Sequence, residues 1–256
     1  MKNFQIHLAT SLILFCFLML SVSCGEDEDP IDTTPKNVTF TFSAVANGGP
    51  VDFSATRYLN SLNQEFTIDR IKIYISNVVL RSINGTDEFV EPDSYHLVSL
   101  NPDNQTFSFT ISDLPAGFEF DQVSYQIGID ADKNLSTDNT GDLDPANDMA
   151  WNWNTGYKFF LMEGNFFPGE GGSAEGLVVH IGTNNNLQLN NVNITPTVQL
   201  TSDATIVLEI DALAPLDGPN DIDFDAGTTF KIGDASDLIA QNYSGSLINL
   251  VDINIQ

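Results

Sequence analysis

Both tryptophans of the chain, Trp151 and Trp153, stand one residue apart in GDLDPANDMAWNWNTGYKFFLMEGN, residues 141 to 165. An acidic stretch precedes them and a strand-like run follows. If this stretch is extended, Met149, Trp151, Trp153 and Thr155 share one face and alternate with Asn152 and Asn154. A thioether beside two oxidisable indoles is a soft environment, better suited to copper than to calcium. The competing reading is packing, because large aromatic side chains dominate cores. Histidine is equally scarce: His7, His96 and His180 are the only three, and His7 falls in a segment that reads as a leader. In SYHLVSL and GLVVHIG the remaining two each point away from their apolar neighbours. On neighbouring strands they could serve copper or zinc, whereas a hydrogen-bonded structural role is the more ordinary fate of a strand histidine.

The run DADKNLSTDNTGDLDPAND, residues 130 to 148, suggests a hard cation, since calcium takes six to eight oxygens. Asp130, Asp132, Asn134, Asp138, Asp142 and Asp144 are the candidate ligands. A helix–loop–helix calcium site needs Gly at its sixth position and Glu at its twelfth, and counting from Asp130 gives Leu135 and Gly141. What remains is an irregular calcium loop, or turn-forming residues that solvate a long connection. Catalytic patterns are missing: there is no G-x-S-x-G elbow, no H-E-x-x-H and no phosphate-binding glycine loop. Carboxylates are too abundant to single out a glycosidase pair. The sequence therefore predicts a binding protein and not an enzyme.

The elements that must position these residues are strands. VTFTFSA, DRIKIYISNVVL, TFSFTI, QVSYQIGI, YKFFLME, GLVVHIG, PTVQL and TIVLEI are short β-branched and aromatic runs separated by Asn, Asp, Gly and Pro. Helical periodicity is scarce. These runs predict an all-β fold, an antiparallel β-sandwich or related barrel, with long acidic loops at 130–155 and 218–227. The chain has 256 residues and a formal charge of −26, yet is 42% hydrophobic, enough for a core in one domain. So negative a surface repels phosphate backbones and excludes nucleic acid as a partner.

At the N-terminus a lysine, an apolar run from Leu12 to Leu20 and small residues up to Cys24 have the layout of a secretory signal, residues 1–23. Leu20-Ser21-Val22-Ser23-Cys24 resembles a bacterial lipobox, which makes Cys24 the lipidation site. The acidic GEDEDP behind it resembles the export signal of surface-displayed lipoproteins. Residues 24–37 then form an acidic tether and 38–256 the β-domain. The expected location is the outer membrane, surface-exposed or periplasm-facing, held by the lipid alone. Cys16 and Cys24 are the only cysteines, so the mature domain has no disulfide to form.

QIGIDADKN, GDLDPANDMAWNWNTGYKFFLMEG and VVHIG, in that order behind IKIYISNVVL, resemble the MbnP-like domain family. That family takes its name from a periplasmic copper protein associated with methanobactin. The run from Asp142 to Tyr157 is the most specific part of the likeness. The resemblance implies a β-sandwich-like domain that binds copper through histidines and a tryptophan oxidised to kynurenine, whose aromatic amine ligates the metal. It also implies a di-haem cytochrome c peroxidase-type partner for that oxidation. Carried onto this chain, His96 and His180 are the imidazoles and Trp151 or Trp153 the modified residue. Trp151, nearer the loop, is favoured. Met149 is added from its parity. The alternative function is a calcium-stiffened surface β-domain for adhesion or complex assembly, whose tryptophans only pack.

Overall fold

The computed structural model describes residues 32–136, 138–152, 155–169 and 172–256. The expected signal, Cys24, most of the tether, and Trp153 lie outside the described residues. The first strand, β1 (Lys36–Ala46), begins two residues before the expected start of the domain. Its alternation is complete, with Val38, Phe40, Phe42 and Ala44 buried and Thr39, Thr41 and Ser43 on the other face. Asn47 and Gly48 follow with φ of 53° and 76°, and this left-handed pair folds β1 back onto β2 (Gly49–Pro50).

In chain order come β3 (Tyr58–Leu59), β4 (Glu65–Arg81), β5 (Glu88–Val90), β6 (Tyr95–Leu100), β7 (Thr106–Leu114) and β8 (Glu119–Ile127). The short helix α1 (Ala131–Asn134) opens the acidic loop, and two helical turns, Gly141–Leu143 and Pro145–Asn147, lie further along it. Then follow β9 (Ala150–Asn152), β10 (Gly156–Phe167), β11 (Glu175–Gly182), β12 (Gln188–Gln199), β13 (Ala204–Asp211), β14 (Thr229–Phe230), the ten-residue helix α2 (Asp234–Tyr243) and β15 (Ile248–Ile255). Helix α2 is the main departure from the sequence reading, which expected little helix. Its Ile239, Ala240 and Tyr243 are buried in the core, so tertiary packing sustains a segment whose periodicity is weak.

The strands form two open sheets, an all-β sandwich and not a barrel. One has the order β15-β13-β1, with β7 and β2 on the free side of β1. The other, of ten strands, has the order β12-β8-β4-β10-β11-β14, with β3, β5, β6 and β9 paired alongside. Most pairings are antiparallel, but β1 with β13 and β11 with β14 run parallel. The main core fills the space between the sheets and includes Phe40, Phe42, Ile71, Ile73, Ile75, Phe160, Met162, Val179 and Ile181.

The larger sheet is buried on its outer face as well. Tyr74, Leu97, Ile129, Leu143, Met149, Tyr157, Phe159 and Leu161 form a second cluster there. It is roofed by the described residues between Ile129 and Ala150, a covering layer whose Ile129, Leu143 and Met149 turn inward while Leu135 is exposed. Tyr74 and Tyr157 meet edge to face at 5.9 Å in this cluster, and their hydroxyls donate to the carbonyls of Asp142 and Leu143 at 2.8 and 2.7 Å.

Candidate metal centre

Register decides which side chains meet. On β4 the inner face carries Ile71, Ile73 and Ile75 and the outer face carries Lys72 and Tyr74. His96 on β6 stands opposite Ile75 and so points inward. His180 on β11 stands opposite Leu161, which stands opposite Lys72, so His180 points outward. The two imidazoles are on opposite faces of one sheet, and the expected two-histidine site is not assembled.

His96 is engaged on the inner face through its Nε2 and its ring. Its Nε2 lies 2.9 and 3.1 Å from the two carboxylate oxygens of Glu91. Its ring stacks on Phe109 of the opposing sheet, with centroids 3.6 Å apart and planes 3° from parallel. These are the contacts of a structural histidine.

His180 is only partly engaged. Its Nε2 donates to Glu163 Oε1 at 2.6 Å, while its buried Nδ1 has no partner. Burial pushes its pKa below the usual value, opposed by the Glu163 hydrogen bond and assisted by the charge of Lys158, so the ring is neutral at pH 7. The indole Nε1 of Trp151 is also buried without a partner. The Trp151 ring lies against Gly182: a Cβ built there would be 2.8 Å from Cη2 and Cζ3 of the indole and 2.5 Å from the Tyr157 carbonyl oxygen. Gly182 shares the outward parity of His180, so the missing side chain admits the indole one pleat from the imidazole.

A charged network fastens the tryptophan segment to the sheet. Glu163 stands opposite Arg70, whose Nε donates to Glu163 Oε2 at 2.7 Å and whose Nη2 donates to Asp148 Oδ2 at 2.9 Å. Lys72 donates to the Asn147 carbonyl at 2.8 Å, and Lys158 to the Asp148 carbonyl at 2.7 Å. Three of the chain's nine basic residues thus hold the turn just before Met149 and Trp151. Burial opposes ionisation of Glu163, but Arg70 and then His180 outweigh it and hold the carboxyl below its usual range. Burial pushes Lys72 and Lys158 down, and the Glu163 hydrogen bond raises Arg70. None of these network residues was anticipated from sequence. The available signal was DRIKIYI, with two basic residues on one strand face of an acidic chain, together with the lone glutamate closing YKFFLME.

The other expected ligands are scattered. Met149 is fully buried in the outer cluster. The acidic loop uses its polar groups as fastenings. Asp130 caps α1, accepts from Lys133 N at 3.2 Å and takes the Tyr95 hydroxyl. Asp142 accepts from Leu97 N at 2.9 Å and Asp144 from Ala146 N at 2.8 Å. Asn134 accepts from Tyr157 N and donates to Asn184, both at 2.8 Å. Asp132 lies in the first turn of α1, and the backbone N of Asp138 donates to Ser136 Oγ at 3.4 Å. Among the described residues no three His, Cys, Asp or Glu side chains converge to hold a metal. A copper ion held by two imidazoles therefore does not fit this chain. What fits is a site with His180 as its one imidazole beside Trp151, because two buried ring nitrogens lack partners there; the other buried side-chain atom without a partner among the described residues, the Tyr243 hydroxyl, lies in the main core away from any imidazole.

Comparison with known proteins agrees with this architecture. The MbnP family model matches residues 35–233. No curated protein is matched. Among solved structures, MbnP from Methylosinus trichosporium is similar, with a TM-score of 0.51 and 17% identity, covering 80% of this chain and 83% of that one. At that identity the structural likeness speaks for the fold, and the family model spans more than half of the sequence. The chain belongs to the MbnP family.

Proposed function

We propose that the protein is a copper-binding lipoprotein of the bacterial surface or periplasm, without turnover of its own, whose site is the outer face around His180. The observation that carries this reading is that His180 Nδ1 and Trp151 Nε1 are both buried without a partner, with the benzo edge of the Trp151 ring seated against Gly182, two residues along the strand from His180. A buried polar atom left unsatisfied needs an explanation, and a metal ligand is one. Imidazole nitrogen suits copper, which when bound supplies a redox-active centre.

Within this site His180 provides the lone pair. The indole nitrogen of an intact tryptophan is a donor only, so Trp151 ligates after oxidation to kynurenine, whose aromatic amine has a free lone pair. A di-haem cytochrome c peroxidase-type partner is the proposed catalyst: two equivalents of peroxide open the indole ring to N-formylkynurenine with release of water, and hydrolysis then removes the lost carbon as formate. The buried Met149 contributes to the apolar floor beneath the loop. The leader reading supports export and attachment through Cys24. No described helix is long and apolar enough to cross a membrane.

Copper titration of the mature protein from its native host, followed by electron paramagnetic resonance, tests the reading. One equivalent should bind with hyperfine coupling to a single imidazole, and His180→Ala should abolish it. No copper uptake by protein from the native host would overturn the proposal. Intact mass is an independent check, since conversion to kynurenine exchanges a carbon atom for an oxygen atom.

A further inference from the structure

We propose that Glu163 and Arg70 are positioning residues that set the tautomer of His180, leaving Nδ1 with the free lone pair and making it the nitrogen that binds metal. This rests on the reading of His180 as a ligand, but it is decided by a measurement on metal-free protein.

The argument is one of donors and acceptors. An ionised carboxylate only accepts, so the 2.6 Å contact between Glu163 Oε1 and His180 Nε2 requires the proton on Nε2. A neutral imidazole carries one N–H, so Nδ1 must then hold its lone pair, and this is the atom buried without a partner. Glu163 does not turn away, because Arg70 holds its other oxygen at 2.7 Å from directly across the sheet. Arg70 also grips Asp148 at 2.9 Å, three residues before Trp151. Asp148 itself adopts a left-handed conformation, φ 64°, which turns the chain into β9. One guanidinium thus orients the imidazole and anchors the tryptophan segment. His96 also meets a glutamate through Nε2, but its ring packs on Phe109 and no buried nitrogen is left open.

The sharpest consequence concerns Glu163→Gln. Arg70 has donors only, so the glutamine must turn its oxygen to Arg70 and its amide NH2 to His180 Nε2. The His180 proton is then forced onto Nδ1, blocking the lone pair. Removing the guanidinium as well, in Arg70→Met with Glu163→Gln, frees the glutamine to rotate and restores the original tautomer.

Long-range proton–nitrogen correlation spectra of the metal-free mature chain read this directly, and with His96 and His180 as its two imidazoles the assignment is simple. The wild type should show His180 protonated on Nε2, Glu163→Gln should show it protonated on Nδ1, and the double variant should revert. The His96 signals should stay fixed and report that each variant is folded. Copper affinity should fall about 10–100-fold in Glu163→Gln, the usual range when a ligand loses its orienting partner. A proton on Nδ1 in the wild type overturns the proposal without any variant. An unchanged tautomer in folded Glu163→Gln overturns it as well. A chain with the expected tautomers that takes up no copper would sink the copper reading and leave this tautomer assignment standing.

Discussion

The inner and outer faces of the ten-stranded sheet treat the same motif differently. Each carries one histidine on a strand, each histidine meets a glutamate through Nε2, and each belongs to a buried aromatic setting. On the inner face the ring stacks on the partly buried Phe109 from the opposing sheet. On the outer face no second sheet exists. The cover is an acidic loop pinned by Arg70, Lys72 and Lys158, and beneath it two ring nitrogens lack partners. Among the described residues the sandwich interior also leaves one polar atom unpartnered, the Tyr243 hydroxyl, but no imidazole accompanies it, whereas the face roofed by the loop holds two unpartnered ring nitrogens, an incomplete constellation that a ligand completes. The incomplete histidine is therefore the functional candidate.

Two alanine variants should break the comparison in opposite directions. His180→Ala should reduce copper affinity by more than the ~10–100-fold expected from losing an orienting group, because it removes the ligand itself. His96→Ala should leave affinity unchanged but destabilise the fold by about 1 kcal/mol, since the part-buried Glu91 loses one of its hydrogen-bond partners and keeps Ser94. Stacking with Phe109 is lost too. Copper titration and urea denaturation of both proteins check this double contrast. Equal loss of affinity in the two variants would return His96 to the site.

Gly182→Ala sharpens the outer-face account. The new methyl would meet the Trp151 ring and the Tyr157 carbonyl at under 3 Å, so one must move. We expect a cost of about 1–3 kcal/mol, the usual range for overpacking, with the indole pushed toward solvent. A red shift of Trp151 fluorescence in a Trp153→Phe background reads the displacement. No shift and no loss of stability would mean that the indole does not seat on Gly182.

The strands were legible because apolar and polar residues alternate, as in Val38, Phe40 and Phe42, and so was the acidic loop. The site was only half legible. Alternation within SYHLVSL and GLVVHIG correctly sets each histidine against its immediate neighbours, but does not say which face is which. Both faces of this sheet are buried: Leu97 points into the outer cluster, and Val179 and Ile181 point into the inner core. The apolar neighbours of the two histidines thus face opposite ways, and only pairing through β4 and β10 reveals it. Arg70 and Glu163 are 93 residues apart and meet solely through that pairing. The acidic loop is ambiguous in sequence for a different reason. Asp and Asn serve cation binding and backbone capping with the same oxygen atoms, and spacing alone does not separate the two.

The smallest expected effect tests that capping role. Burial works against ionisation of Asp130, but the Tyr95 hydroxyl, the Lys133 amide and Asn77 outweigh it, so its pKa lies below the usual 3.8. A carboxyl depressed by folding stabilises fully above the ordinary pKa and loses that contribution as pH falls through the folded value. Asp130→Asn should therefore be less stable than the wild type at neutral pH, by up to about 1 kcal/mol for one cap. The gap should close below pH 3.8 as the wild-type carboxyl protonates. If Asp130 were instead a calcium ligand, the gap at neutral pH would widen with added calcium and vanish on chelation. Indifference of both proteins to calcium, with a gap that closes in acid, identifies the aspartate as a fastening of the outer-face roof.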